Sequence, residues 1–403
     1  MKDSITPLFD TIDYLDEPNP YITALLNEVE ENVSDCRLVY ELAVDFLKEY
    51  TGSPSTFKSY RAEIEKFLYW CWVHTFYSVS EIDKVKLREY LSFIQHPDAN
   101  LVGSPSNSRF KLNKQTDIRT PNESWRPFVK TGDVYTFSKR SLHVSLSALS
   151  KFFEHLNDEE YCERNPAAIL KRKNEFKINK QIDDEDIHYF TQEQWKLLLS
   201  HAEKDDSLEG IRNRFLLIFM YSMYPRISEV SVRPSHIPLM ADLALLPQHK
   251  AYVFKIKQSK GFKDRNVTVS DAVKEEFRLY RAALNLAPFP AKNEMTPLFP
   301  IIRSGKITYK GIGIRRMRDV ITGIFAQVSD ECFENGDAVN GEIFSKATPH
   351  WLRHTGISHD ININHRSLSN VRDDAGHDSI ETTSKYIHSS IKERYASAKD
   401  KVF

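Results

Sequence analysis

Two arginines, two histidines and a tyrosine stand in this chain in an order and spacing suited to phosphodiester chemistry. His350 and Arg353 fall in the run Thr348-Pro349-His350-Trp351-Leu352-Arg353-His354-Thr355. Ala375-Gly376-His377 follows, and Tyr386 stands nine positions beyond that histidine. Far upstream, Arg226 lies in Tyr224-Pro225-Arg226-Ile227-Ser228-Glu229. Guanidiniums clamp phosphate oxygens in pairs, and histidines exchange protons near neutral pH. A phenol becomes a nucleophile when cations or a base favour loss of its proton. Each of these residues alone has an ordinary structural role. Together they describe a site that cuts a phosphodiester with a protein nucleophile.

Local sequence suggests how each is presented. Thr348 suits a helix N-cap and Pro349 the first helical position. That puts His350 in the first turn with Arg353 on the same face, at a helix end that favours anions. Arg226 leaves an apolar segment and needs a partner; Glu229 and a substrate phosphate both fit. Gly376 is expected to end one helix, and residues 379–388 to begin another that carries Tyr386. The phenol has an ordinary pKa of about 10, so it needs the field of Arg226, Arg353, His350 and His377. Lys260 sits beside Gly261 in the polar turn Ser259-Lys260-Gly261-Phe262-Lys263-Asp264-Arg265. It is either solvated or a mobile ammonium that protonates a leaving oxygen, and Lys263 competes for that part. His350 and His354 have the spacing of a zinc-protease pair, but that chemistry needs glutamate directly after the first histidine. Position 351 is Trp, so the general base is missing and the zinc-protease reading is set aside.

Hydrophobic periodicity supplies the framework. Residues 1–34 are strongly acidic and read as a weakly structured tail. Leu38, Leu42, Phe46 and Leu47 mark a first helical stripe. Phe57, Tyr60, Ile64, Phe67 and Leu68 mark a second, and Val85, Leu87, Leu91 and Ile94 a third that Pro97 stops. Residues 97–137, rich in Ser, Asn, Pro and Gly, read as a long loop. Leu142, Leu146, Leu149, Phe153 and Leu156 mark a fourth helix. A helical domain over 36–170 follows from these. Lys171, Arg172, Lys173 and Lys177 then begin a basic linker, 171–190. The second domain, 191–403, opens on Thr191 and Gln194 at capping-box spacing. It has helix over 208–223, strands near 251–257 and 266–269, and a loop at 329–345. The fold class is mainly α, with a small antiparallel β-sheet in the second domain.

Composition bounds the partners. No run approaches the roughly 18 apolar residues of a membrane span, and no basic-then-apolar leader opens the chain. A cytoplasmic protein without membrane association is expected. The four cysteines lack paired spacing, which suits a reducing compartment. A net charge of −1 does not advertise nucleic acid. The acidic N-terminus, however, offsets basic clusters elsewhere. One of these, Arg315, Arg316 and Arg318, faces either DNA or solvent.

The four motifs, in this order behind a helical domain, resemble the tyrosine recombinase family of phage integrases and Xer-like recombinases. The resemblance covers about 36–395. Arg226-Ile227-Ser228-Glu229 resembles the first-arginine box, Ser259–Arg265 the β-hairpin lysine turn, and His350-Trp351-Leu352-Arg353-His354 the His-x-x-Arg box. Gly376-His377 with Tyr386 resembles the last histidine and nucleophile. Pro225 and Ala375 depart from the family's usual residues, and the segments at 97–137 and 329–345 are longer than in compact members. The resemblance implies a core-binding domain and a catalytic domain that clamp double-stranded DNA, and a tetrameric synapse helped by accessory DNA-bending factors. It implies attack by Tyr386 to give a 3′-phosphotyrosine, with Lys260 protonating the 5′-oxygen, and it needs neither ATP nor metal. It also implies service to a mobile element. A type IB topoisomerase and a non-catalytic DNA-binding protein on the same fold are the alternatives.

Overall fold

In a computed structural model the described residues are 5–104, 107–130, 132–172, 187–234, 236–257, 264–303 and 305–387. The chain divides into two units, Met1–Asp183 and Asp184–Phe403. None of the described helices is long and apolar enough to cross a membrane.

The first unit is a helical bundle of α1 (Pro20–Glu30), α2 (Cys36–Lys48), α3 (Pro54–Tyr69), α4 (Lys84–Gln95), α5 (Lys139–Asp158) and α6 (Pro166–Lys171). Proline opens α1, α3 and α6, where its missing N–H costs nothing. Asp83 caps α4 by accepting from Val85 N at 2.7 Å and Lys86 N at 2.9 Å. Buried Phe46, Phe67, Phe152 and Phe153 tie α2, α3 and α5 together through tilted and edge contacts.

Several expectations need correction here. Residues 5–34 are not a loose tail. Leu8, Phe9 and Leu15 are buried, and α1 packs on α2. The acidic composition misled because basic partners lie far along the chain. Arg119 forks onto Asp10, while buried Glu65 accepts from Leu8 N at 3.0 Å and pairs with Arg109 at 2.7 Å. Leu38 and Val85 are exposed rather than inward; Val39 and Ala43 take the buried face of α2. Residues 97–137 carry strands β1 (Val102–Gly103), β2 (Phe110–Asn113), β3 (Ile118–Pro121) and β4 (Phe128–Val129). β2 and β3 form an antiparallel hairpin that the Arg119–Asp10 pair fastens to the N-terminal segment.

The second unit opens with α7 (Gln192–Ala202), closed by the reciprocal Thr191–Gln194 capping box. Next is α8 (Leu208–Met223), whose Phe215, Leu216, Leu217, Phe219, Met220 and Met223 are all buried. A run apolar on every side must lie inside, and α8 packs against both α10 (Asp271–Ala283) and α13 (Pro349–Asn362). Between α8 and α10 lie the short α9 (Ile227–Val230) and an antiparallel sheet of β5 (Leu243–Leu246), β6 (Ala251–Ile256) and β7 (Arg265–Thr268), with β6 central. A hairpin of β8 (Pro300–Arg303) and β9 (Lys306–Gly311) leads into α11 (Ile314–Glu334). The expected loop at 329–345 is instead the end of α11, a turn at Gly336, and α12 (Ala338–Lys346). Gly336 has φ +78°, which suits glycine, and Asp337 caps α12 through Asn340 N. These turn residues were visible, but they joined two helices rather than filling a loop. The chain then runs through α13, α14 (Leu368–Ala375) and α15 (Ile380–Ser384). The fold class is mainly α, with small antiparallel sheets.

Candidate active site

Arg226, His350, Arg353, His377 and Tyr386 come together at one end of α8, α13, α14 and α15. The route begins at Tyr224, which ends α8 with φ +48°. A bulky residue there is strained, and contacts hold it. The ring is fully buried, and the hydroxyl meets Asp360 and accepts from Arg366 Nη1 at 3.0 Å. Its carbonyl accepts from Arg353 Nη1, while Arg353 Nη2 donates to the Ala375 carbonyl at 2.8 Å. Arg353 is only 5% exposed. Two backbone carbonyls aim its guanidinium, and among the described residues no carboxylate pairs with it directly. Burial, then the charge of Arg226, lowers its pKa to about 10.

Arg226 begins α9 and binds Glu229, whose Oε2 accepts from its backbone N at 2.7 Å and Oε1 from its Nη1 at 3.0 Å. The same carboxylate takes both prongs of Arg265 at 2.9 and 2.8 Å. Arg265 Nε also donates to the Asp374 carbonyl at 3.1 Å. Two guanidiniums, Arg226 and Arg265, therefore share one carboxylate, and the Arg353 guanidinium adds a third charge beside them. Behind them, Arg366 bridges Asp360 and Asp374, and Asp374 accepts from Thr268 N and Oγ1. Counting that layer, four arginines still face three carboxylates.

Pro349 opens α13 as expected, but Thr348 caps it by backbone conformation only, with no side-chain bond. His350 lies on the exposed side of α13's first turn. Its pKa is lowered by partial desolvation and by Arg353, Arg226 and Arg318. Gly376 ends α14 with φ +65°. His377 Nδ1 then meets Thr383 Oγ1 at 2.9 Å. Burial, and after it Arg353 and Arg226, lowers the His377 pKa to about 4.

Tyr386 stands just past the end of α15, not on it. It is 4% exposed, and Asn362 Nδ2 grips its carbonyl at 2.8 Å. Its ring lies nearly parallel to that of His377, with centroids 6.2 Å apart. Its hydroxyl is 2.6 Å from His354 Nδ1. Burial raises the phenol pKa, and Arg353 pulls against that rise.

His354, Arg265, Asp374 and Thr383 were not singled out as site residues in the sequence. In the sequence His354 is half of a zinc-type histidine spacing and the last residue of the His-x-x-Arg stretch, neither of which gives it a role. Its link to Tyr386 spans 32 residues, so no local pattern exposes it. Lys260 lies outside the described residues. The strand resuming after its turn starts at Arg265, which is fixed in the site. Of the basic linker residues, Lys171 and Arg172 stand at the end of α6, while Lys173 and Lys177 are outside the described residues. Arg315 and Arg316 are exposed in the first turn of α11.

Residues 188–393, more than half of the chain, match the phage integrase family model. Tyrosine recombinase XerC of Bacillus subtilis (strain 168) is 24% identical over 259 residues, 62% of this chain and 71% of that protein. Tyrosine recombinase XerC of Thermodesulfovibrio yellowstonii (strain ATCC 51303 / DSM 11347 / YP87) is 26% identical over 257 residues, 63% of this chain and 73% of the relative. Among solved structures, the XerH site-specific recombinase bound to palindromic difH substrate, a post-cleavage complex, gives a TM-score of 0.54 at 17% identity, covering 92% of this chain and 89% of the other. The Tn1549 transposon integrase with circular intermediate DNA gives 0.52 at 13% identity, covering 89% and 98%. The chain belongs to the phage integrase family of tyrosine recombinases.

Proposed function

We propose that this protein is a site-specific recombinase that cuts and rejoins double-stranded DNA through a 3′-phosphotyrosine on Tyr386. The observation that carries this reading is the buried Arg353 guanidinium. It is aimed by two carbonyls, left without a carboxylate of its own among the described residues, and set near a buried tyrosine hydroxyl. A buried cation without a counter-ion is costly, and a phosphodiester would supply the missing charge.

In this mechanism the scissile phosphate binds between Arg226 and Arg353, which stabilise its non-bridging oxygens as charge builds. The Tyr386 oxygen forms a bond to phosphorus as the bond to the 5′-oxygen breaks. Lys260 gives that oxygen its proton. His350 and His377 position the phosphate and assist proton transfer. The 5′-hydroxyl of another strand then attacks the phosphotyrosine, returns a proton, and frees Tyr386. The covalent intermediate conserves the bond energy, so no step calls for ATP or a metal. Lys171, Arg172, Lys173, Lys177, Arg315 and Arg316 would contact DNA phosphates. The acting unit would be a tetrameric synapse on two sites, with DNA-bending factors as further partners. Service to a mobile element, rather than chromosome-dimer resolution, is the role proposed for that unit.

The decisive experiment incubates the full chain with a pool of nicked, randomised duplexes from which a cut strand cannot rejoin. Covalent adducts recovered from denaturing gels are then sequenced. Wild type should form an adduct in EDTA, Tyr386→Phe should form none, and the recovered duplexes should share a sequence. Absence of a wild-type adduct overturns the enzyme reading in favour of simple DNA binding. An adduct that needs a divalent ion overturns the metal-free mechanism. Adducts without sequence preference, with relaxation of any supercoiled plasmid, point to a topoisomerase.

A further inference from the structure

We propose that His354 is a catalytic residue, the base that takes the Tyr386 phenol proton, and that a bound phosphate arms it. This rests on the reading of Tyr386 as the nucleophile. The geometry is direct, because Nδ1 lies 2.6 Å from the hydroxyl oxygen, within the reach required of a nucleophile and its base. A neutral imidazole with its proton on Nε2 accepts there, and the phenol donates.

The groups facing His354 are His350 and Arg353 from its own helix, His188 from the segment before α7, His377 after α14, and Tyr386 after α15. None of these carries negative charge while Tyr386 is protonated. Burial, then His350, Arg353 and His188, lowers the His354 pKa to about 4. Without DNA, His354 is therefore neutral, as a base must be, but a poor proton acceptor. A phosphodiester between Arg226 and Arg353 would cancel the charge that opposes a second cation. The imidazole's proton affinity would then rise only when DNA is in place. As the tyrosine oxygen bonds to phosphorus, its proton passes to Nδ1. The 5′-oxygen departs with a proton from a separate donor. Religation runs both transfers backward, so protons balance. Without the duplex, the phenol stays buried and protonated.

The test uses the full chain and the duplex recovered by wild type, with His354→Asn and His354→Phe. Asparagine places an amide oxygen near the Nδ1 position but lacks basicity; phenylalanine keeps the ring volume. Base catalysis of this kind contributes roughly 100- to 10,000-fold. Both variants should cleave at least about 100-fold slower than wild type near pH 7, with gel-shift affinity and Tm retained for His354→Asn. Wild-type cleavage should be flat from about pH 6 to 9, whereas variant rates should climb with pH as phenolate forms unaided. A second duplex, with sulfur replacing the bridging 5′-oxygen, needs no proton on its leaving group. It should not restore the His354 variants. Rescue by sulfur would make His354 a leaving-group donor and overturn the proposal. So would a wild-type-like rate, or a deficit equal at every pH, which would mark a packing role. Failure of wild type itself to form adducts would instead sink the reading of Tyr386.

Discussion

Glu229 shows how the site's charge is arranged. Burial alone would raise its pKa. The two-pronged Arg265 contact, with Arg226, reverses that effect and holds the carboxyl below its ordinary value. A lowered folded pKa means the ion pairs stabilise fully above the unfolded value of about 4.3. That contribution is lost as pH falls through the folded value. Breaking a buried pair on one side costs about 3–5 kcal/mol. Glu229→Gln should therefore lower Tm markedly near pH 7, and the gap to wild type should close as melts are taken toward about pH 3. A constant gap would place the loss in packing. His354 and His377 act with the same sign. Their folded pKa values of about 4 lie below an unfolded value of about 6.5. Their neutral burial thus adds a second stability loss between those limits on acidification.

At the scale of elements, the contact of α8 with α13 brings Arg226 and Arg353 to one place. Gly356 makes that contact possible, since a Cβ built there would overlap the Tyr221 carbonyl oxygen. Neither helix backbone can yield without moving Tyr224, whose carbonyl holds Arg353. Gly356→Ala should cost about 1–3 kcal/mol through overpacking, measured by urea unfolding, and should also slow adduct formation. Gly323→Ala is the control. It lies exposed within α11, with nothing within 4 Å of an added Cβ, and should be neutral or stabilising by up to about 1 kcal/mol. A gain from both would show that helix propensity, not close approach, governs the first.

For the whole molecule, a net charge of −1 conceals local basic clusters. Arg315 and Arg316 occupy the first turn of α11, where the helix dipole disfavours cations. A DNA phosphate would offset that cost. Each phosphate contact contributes about 0.9 to the slope of log affinity against log salt. The double change Arg315→Ala, Arg316→Ala should reduce the slope by about 2, read by fluorescence anisotropy over a salt series. An unchanged slope would put both side chains in solvent.

What the linear chain determined by itself was residue type, order and local form. The capping box at Thr191, the buried run of α8, the turn at Gly376 and the Arg226–Glu229 contact are all short-range, so their physics is written within a few positions. Tertiary structure alone decided what distant residues mean to one another. Asp10 became a buried partner of Arg119 rather than part of a loose acidic tail, and Arg265 became the second cation on Glu229. His354 came to face the Tyr386 hydroxyl. Such pairings arise because burial forces each polar group to find a partner wherever the packed chain supplies one. Sequence separation does not enter that requirement, and so local patterns cannot reveal it.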